Sequence, residues 1–247
     1  MDEILAGSVN PIASTRASLS FSPAACGGPR APLTCGGLPA ICSRGAKWPE
    51  RRRRFLRFLK ACAARTGQLL NYSDLARDAD TSVNTAKNWL SILQTSLQVV
   101  LLQPFHTNVT KRLAKRPKLY FLDTGLCAYL TEWSSPETLE AGAMAGAILE
   151  TYVFAELLKS WWHRGLEPRI YYYRDKDARE IDFLLMQDRK MYPLEVKKSA
   201  SPSADTLRVP EAARLHGMSV ADGAVLCLCR ESLPLTRNSQ AVPVGIV

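Results

Sequence analysis

Little in this chain suits it to hold a metal through sulfur or imidazole. Only three histidines are present, and the seven cysteines (Cys26, Cys35, Cys42, Cys62, Cys127, Cys227 and Cys229) form no C-x-x-C pair. Zinc sites need such local pairs, so no metal is assigned to cysteine. An odd thiol count without a basic-then-apolar start is expected of reduced, structural thiols in a cytoplasmic protein. No uncharged run approaches the ~18 residues that cross a bilayer, so no membrane partner is expected. A phosphate loop is missing too: Gly36 and Gly37 are not followed by the Gly-Lys-Ser/Thr spacing that cradles nucleotide phosphates, so no ATP site is expected in these residues. Positive charge is in surplus, at a net +9, but the surplus is local: residues 1–60 hold ten Lys/Arg against three Asp/Glu. The remainder has 22 against 20, so the excess marks Arg51–Arg54 and its neighbours, not a broad nucleic-acid surface.

Residues 1–50 are rich in Gly, Pro, Ser and Ala without a sustained period, which reads as a disordered or low-complexity tail. Residues 51–106 read as a winged helix-turn-helix. Phe55, Leu56, Phe58 and Leu59 lie on one side of its first helix, and Ser73 is a candidate N-cap for the second. A turn at Asp80 leads to a third helix over 81–96 with Val83, Trp89, Leu90, Ile92 and Leu93 inward, and 97–105 supplies a β-ribbon. Asn84, Thr85, Lys87 and Asn88 project from the front of that helix, with chemistry suited to phosphates and base edges. Six basic against three acidic residues over 54–103 leave a second reading open, a protein-docking or spacer module. The basic stretch 110–118 reads either as a phosphate contact or as a solvated connection. In KLYFLDTGL (118–126) a strand runs into a helix, and Asp123 is better read as a cap than as a catalytic acid. Tyr171–Tyr173 and Trp161-Trp162 are read as packing residues.

The segment REIDFLLMQDRKMYPLEVKKS (179–199) alternates around a short polar turn, as two antiparallel strands do. An even-numbered turn, Asp188-Arg189 or Gln187 to Lys190, sets Asp182 opposite Glu195 and Glu180 opposite Lys197. The intervening Ile181, Phe183, Leu194 and Val196 are apolar, which concentrates charge on the other face. Paired side chains there lie roughly 4.5–5.5 Å apart at Cβ, so two facing carboxylates need a cation, a proton or a basic neighbour. Two carboxylates with a lysine two residues on can hold a divalent metal for phosphodiester hydrolysis. The same pattern also occurs as plain surface charge on solvated strands. Upstream, 142–165 reads as a helix that places Glu150 in a stripe with Ala143, Ala147, Phe154, Leu157 and Leu158. Glu150 is either a third site acid or an acid held by an arginine or backbone amides. Glu156, with Lys159 at i+3, is an ordinary solvated acid.

A helix acid, then Asp182, then Glu195-Val196-Lys197 on the next strand resembles the PD-(D/E)XK nuclease superfamily. The motifs RTGQLLNYSDLARDADTSVNTAKNWLSIL (65–93), RPKLYFLDTGLCAYL (116–130), ILETYVFAELLKS (148–160), YYYRDKDAREIDFLL (171–185) and YPLEVKKSASP (192–202) resemble, in order, the C-terminal region of prokaryotic AAA-type ATP-binding proteins with the domain of unknown function 4143. The resemblance implies an α/β fold, with a winged helix followed by an α-β-β-β-α-β domain over 107–247. Its elements would be helix 142–162, strands 169–174, 179–187 and 191–198, helix 204–216 and strand 223–229. It implies Mg²⁺ held by Asp182, Glu195 and the Val196 carbonyl, Lys197 orienting a water, and Glu150 completing the acids or taking a second metal. Nucleic acid and an ATPase domain or subunit are the implied partners, this chain being the ATPase-less fragment. The alternative is an inactive nuclease-like interaction or regulatory module. The family pattern carries glycine where this chain has Ala178, and near Leu97.

Overall fold

The computed structural model describes residues 50–105, 116–175, 179–207 and 219–246. The tail expected over 1–50 lies outside them but for Glu50, as do Ala178, most of the stretch 110–118 and the helix expected over 204–216 beyond Leu207.

Helix α1 (Glu50–Ala63), strand β1 (Gln68–Leu69), α2 (Tyr72–Asp78), α3 (Val83–Thr95), β2 (Val99–Leu102) and β3 (Lys118–Phe121) form the N-terminal part. Its sheet is antiparallel in the order β1-β3-β2. Ser82 caps α3, its Oγ accepting the Thr85 N–H at 3.1 Å. The cap of α2 is Asn71, not Ser73: the Asn71 side chain accepts the Ser73 N–H at 3.0 Å. Helix α3 buries Ala86, Trp89, Leu90 and Leu93, the i, i+3, i+4, i+7 stripe of one helical face. Val83 and Ile92, expected inward, fall beside that stripe and are exposed, and Leu56 on α1 does the same. Phe58, Leu75, Trp89, Leu90 and Phe121 make the core here, which reaches Ile148 of the later long helix.

Leu97 ends the turn after α3 with φ at 55° and its side chain 57% exposed. A left-handed conformation is unfavourable for leucine, and no buried contact compensates. Leu97→Gly is therefore expected to stabilise the chain by about 0.5–1 kcal/mol, the relief of strain exceeding the entropy lost by glycine. Urea denaturation checks it, and a lower midpoint would show that the turn is unstrained.

After β3, α4 (Thr124–Leu130) starts at Asp123, whose Oδ1 accepts the Leu126 N–H at 2.8 Å. Asp123 is thus the cap it was read to be. Helix α5 (Pro136–Ala141) and the long α6 (Ala145–His163) follow, then β4 (Ile170–Arg174), β5 (Glu180–Gln187), β6 (Lys190–Lys197), β7 (Ser219–Val220), β8 (Gly223–Cys227), β9 (Leu233–Thr236) and β10 (Ser239–Pro243). The larger sheet runs β4-β5-β6-β8-β10-β9, with β7 also against β6. Strands β4, β5 and β6 are antiparallel neighbours, whereas β8 joins β6 in parallel and β10 joins β8 in parallel. The pieces α5, β7, β9 and β10 were not anticipated; β9 and β10 extend the sheet past the last expected strand.

Helix α6 covers one face of this sheet through Val153, Phe154, Leu157 and Leu158, against Phe183, Leu194, Val196 and Leu226. Tyr172 and Tyr173 are buried and Trp161 packs on the same core, as expected of packing residues, while Trp162 is exposed. Cys62, Cys127 and Cys227 are buried free thiols, and burial pushes the Cys62 and Cys127 thiols up to about 12, which keeps them unreactive.

Candidate functional site: a buried carboxylate cluster

The β5–β6 hairpin turns on Asp188 and Arg189 alone, with φ of 49° and 62°. Two consecutive left-handed residues make the turn whose twist suits a hairpin. The ladder runs from Gln187 opposite Lys190 to Phe183 opposite Leu194, and one step further along lies Asp182 beside Glu195. The even-numbered turn is the condition on which their juxtaposition depended. Asp182 Oδ2 accepts the Val196 N–H at 2.9 Å, which ties the acid to the facing strand.

The other edge of β5 carries an irregularity that the alternation did not predict. Tyr171 pairs with Leu184 but Tyr173 pairs with Ile181, so β5 advances three residues where β4 advances two. This bulge flanks Asp182. It sends Ile181 into a cluster with Leu184 and Met191, whereas Phe183 packs beneath α6. The expectation that Ile181 and Phe183 share one buried face is corrected accordingly: an extra residue breaks the two-residue period and re-aims the side chains around it.

Glu195 and Asp182 are 8% and 9% exposed. Lys197 Nζ meets Glu195 Oε1 at 2.7 Å and is itself about half exposed, at the solvent edge of the cluster. Glu180, expected opposite Lys197, has its carboxylate taken by Lys118 Nζ at 2.5 Å and Arg174 at 3.6 Å. Glu150 reaches the same cluster from α6. Its Oε1 accepts hydrogen bonds from Lys118 Nζ at 3.1 Å and from the Tyr120 hydroxyl at 2.5 Å. Of the two readings of Glu150, a site acid or an acid held by an arginine or backbone amides, the second differs in its partners, which are a buried lysine and a tyrosine.

Lys118 is the residue that sequence reasoning missed. It ends the basic stretch 110–118 and opens the strand expected over 118–126, with no role assigned to it in either, yet its side chain is only 4% exposed. It pairs across strands with Leu69 and Leu102, and its Nζ lies 4.0 Å from Asp182 Oδ1. A signal was present. In Lys-Leu-Tyr-Phe the two-residue period puts Leu119 and Phe121 on one face and Lys118 and Tyr120 on the other. Leu119 and Phe121 enter the N-terminal core, and Tyr120 stacks among Phe154 and Phe183 on the far side. The lysine accompanies Tyr120.

Burial and then the neighbouring Glu150 and Glu195 carboxylates push the Asp182 carboxyl up from 3.8 to about 7, against the opposing pull of Lys118 and the Val196 N–H. Burial also raises Glu195, although its bond to Lys197 acts the other way. Burial works against the Lys118 ammonium, but Glu150, Glu180 and Asp182 outweigh it and hold its pKa above the usual lysine value. Lys197 is likewise raised, burial being overcome by its bond to Glu195. Four carboxylates thus face two lysines and an arginine, and the Asp182–Glu195 end is short of positive charge.

Among the described residues, no three His, Cys, Asp or Glu side chains are arranged as a preformed metal site. Two carboxylates suffice for Mg²⁺, which keeps several waters and commonly takes only one or two acids from the protein. The charge deficit at Asp182 and Glu195 fits such an ion. On α3, Asn84, Lys87 and Asn88 are exposed, while Thr85 is half-buried with its hydroxyl 2.9 Å from Ser82. Lys87 Nζ sits 5.6 Å from the Tyr72 ring centre. These four lie on α3, an element that carries none of the carboxylates.

No helix among the described residues is long and apolar enough to cross a membrane. No solved structure matches the chain. Over 179 residues, 72% of its length, the chain is 31% identical to "Uncharacterized protein Rv2008c" of Mycobacterium tuberculosis and, equally, to "Uncharacterized protein Mb2031c" of Mycobacterium bovis. It spans 38% of the length of these curated relatives. Two family models match, both described as domains of unknown function: a DUF8612 domain is found at residues 36–137, and a DUF4143 domain at residues 145–247.

Proposed function

We propose that Asp182, Glu195 and Lys197 form a Mg²⁺-dependent site for phosphodiester hydrolysis on nucleic acid, with Glu150 at its inner wall. The observation that carries this reading is the charge deficit at Asp182 and Glu195, two buried acids on neighbouring strands with a lysine at their open edge. The element order α6, β4, β5, β6, then β8 parallel to β6, supports a PD-(D/E)XK-like core. The order helix, strand, helix, helix, strand, strand over 50–121 supports a winged helix in front of it. The motif resemblance alone points to an AAA-type ATP-binding protein as the whole of which this chain is like the C-terminal region, with an ATPase domain or subunit as partner; the relatives' greater length leaves room for one.

Asp182 and Glu195 would hold the ion, with the Val196 carbonyl as a further candidate ligand. Bound Mg²⁺ supplies Lewis-acid activation of water and offsets charge on the phosphate. Lys197 holds Glu195 in place and presents its ammonium to solvent, where it orients an attacking water or a phosphate oxygen. With Mn²⁺ or Mg²⁺, the full chain is expected to cleave DNA or RNA, and Lys197→Ala to lose at least about 100-fold in rate while still binding Mn²⁺. Asp182→Asn should lose both. Wild-type protein inert on single- and double-stranded DNA and RNA would overturn the proposal.

A second reading has its own observation. Lys118 already sits among Glu150, Glu180 and Asp182, as a structural ion cluster would have it. On that reading the domain is a catalytically inactive interaction or regulatory module.

Asn84, Lys87 and Asn88, with Thr85 at the helix start, would contact nucleic-acid backbone. Lys87→Ala in the full chain is expected to weaken DNA binding and to lower the slope of log affinity against log salt by about one. Fluorescence anisotropy across a salt series reads it. Affinity that does not vary with salt favours protein docking by this helix.

A further inference from the structure

We propose that Lys118 is a resident cation built into the carboxylate cluster: its ammonium holds Glu150 and Glu180 and confines any divalent ion to Asp182 and Glu195, so that the site takes one metal and not two. The proposal rests on the reading of Asp182 and Glu195 as metal ligands, and it assigns Glu150 a different task from ligation.

Three observations support it independently of that reading. The Lys118 Nζ lies 2.5 Å from Glu180, 3.1 Å from Glu150 and 4.0 Å from Asp182, the position a second ion would take to bridge these acids. Paired metal ions in hydrolytic sites lie roughly 3.5–4 Å apart, so an ammonium in contact with the inner acids leaves no room for another. Glu150 is also engaged from within the protein. Its Oε1 accepts from both Lys118 and Tyr120.

The ammonium is also hard to displace. Lys118 is 4% exposed, and its strand is paired on both sides, to Leu69 and to Leu102. The Tyr172 ring, 5.7 Å from Nζ, adds an aromatic wall. A divalent ion entering from the Lys197 side meets Glu195 and Asp182 first, and finds the acids beyond them already neutralised. Lys118 is a positioning residue on this account, since it fixes Glu150 and Glu180 and sets how much negative charge the metal sees.

The test is a count of bound Mn²⁺ on the full chain, read from the electron paramagnetic resonance of the free ion. Wild type should bind one Mn²⁺. Lys118→Met should gain a second site, or bind its first at least tenfold more tightly, because Glu150 and Glu180 then lose the ammonium they share. Glu150→Gln, which keeps the acceptor for Lys118 and Tyr120, should stay within about threefold of wild type. If Lys118→Met is unfolded alone, Mn²⁺ should restore its fold, and a chain that stays unfolded at saturating Mn²⁺ would overturn the proposal. So would unchanged stoichiometry and affinity in Lys118→Met, two ions in wild type, or a loss of tenfold or more in Glu150→Gln. No Mn²⁺ on wild type, with one gained by Lys118→Met, sinks the metal reading of Asp182 and Glu195 and sustains the role of Lys118.

Discussion

Lys118→Met is expected to destabilise the chain by about 3–5 kcal/mol at pH 8 without divalent ions, more than any other single change at the cluster. The substitution keeps an unbranched apolar stem one atom short of the ammonium, so the cost reflects chiefly the charge. What it leaves behind decides the size: Glu150 and Glu180 lose their shared ammonium, and only Tyr120 and the more distant Arg174 remain to them. The contrast is Lys197→Ala. Lys197 is about half exposed, so water partly takes its place at the buried Glu195, and the loss should be smaller, about 1–2 kcal/mol. Urea denaturation of both variants measures the difference. Equal losses in the two variants would place Lys118 in solvent, contrary to its burial.

Asp182→Asn is expected to raise stability at pH 8 by about 2 kcal/mol and to change it little at pH 4. The Asp182 carboxyl is raised from 3.8 to about 7 by burial and by Glu150 and Glu195. A group whose folded pKa lies above its unfolded one binds its proton more tightly in the folded chain. Its stabilising contribution is full below about pH 4 and is lost as pH rises through about 7. Asparagine carries no charge to bury and can still accept the Val196 N–H. The stability difference between variant and wild type should therefore open across that window. The rise from 3.8 to about 7 corresponds to about 4 kcal/mol, and the smaller figure is expected because Asp182 and Glu195 titrate together. Thermal melts from pH 4 to 8 give the curve. Saturating Mg²⁺ should flatten it for wild type by supplying the missing positive charge. A difference that does not vary with pH would mean that Asp182 is ionised at little cost.

Much of the site was legible because hairpins obey a strict period. The parity of the Asp188-Arg189 turn, together with alternation in β6, was enough to bring Asp182 beside Glu195 and to put Lys197 two residues on. Helical spacing was enough to aim Glu150 at the core. Four things were not legible from local pattern. The bulge beside Asp182 depends on β4 pairing with β5 out of step, a relation between strands that neither strand encodes alone. The exposure of Ile92 and Val83 reflects how narrow a stripe α3 buries, and composition does not set that width. Lys118 was misplaced because it follows a run of basic residues, and charge density was read where strand alternation carried the information. The last two strands, β9 and β10, are short and partly exposed, so their apolar pattern is faint.

The strand that carries Lys118 works like a party wall, its two faces belonging to different rooms. Leu119 and Phe121 furnish the core beneath α3, while Tyr120 and Lys118 furnish the core and the acids beneath α6. Close by, the Thr66 and Thr151 hydroxyls meet at 2.7 Å, and Thr66 also accepts the Phe121 N–H. The two matched segments meet in sequence between residues 137 and 145, yet this wall stands inside the first and faces the second. Sequence inheritance and mechanical inheritance therefore divide differently. A lineage that swapped the N-terminal segment for another would carry away the counter-charge of its acids along with it. Loosening of the small sheet would likewise reach the acids as a change in electric field before any of them moved.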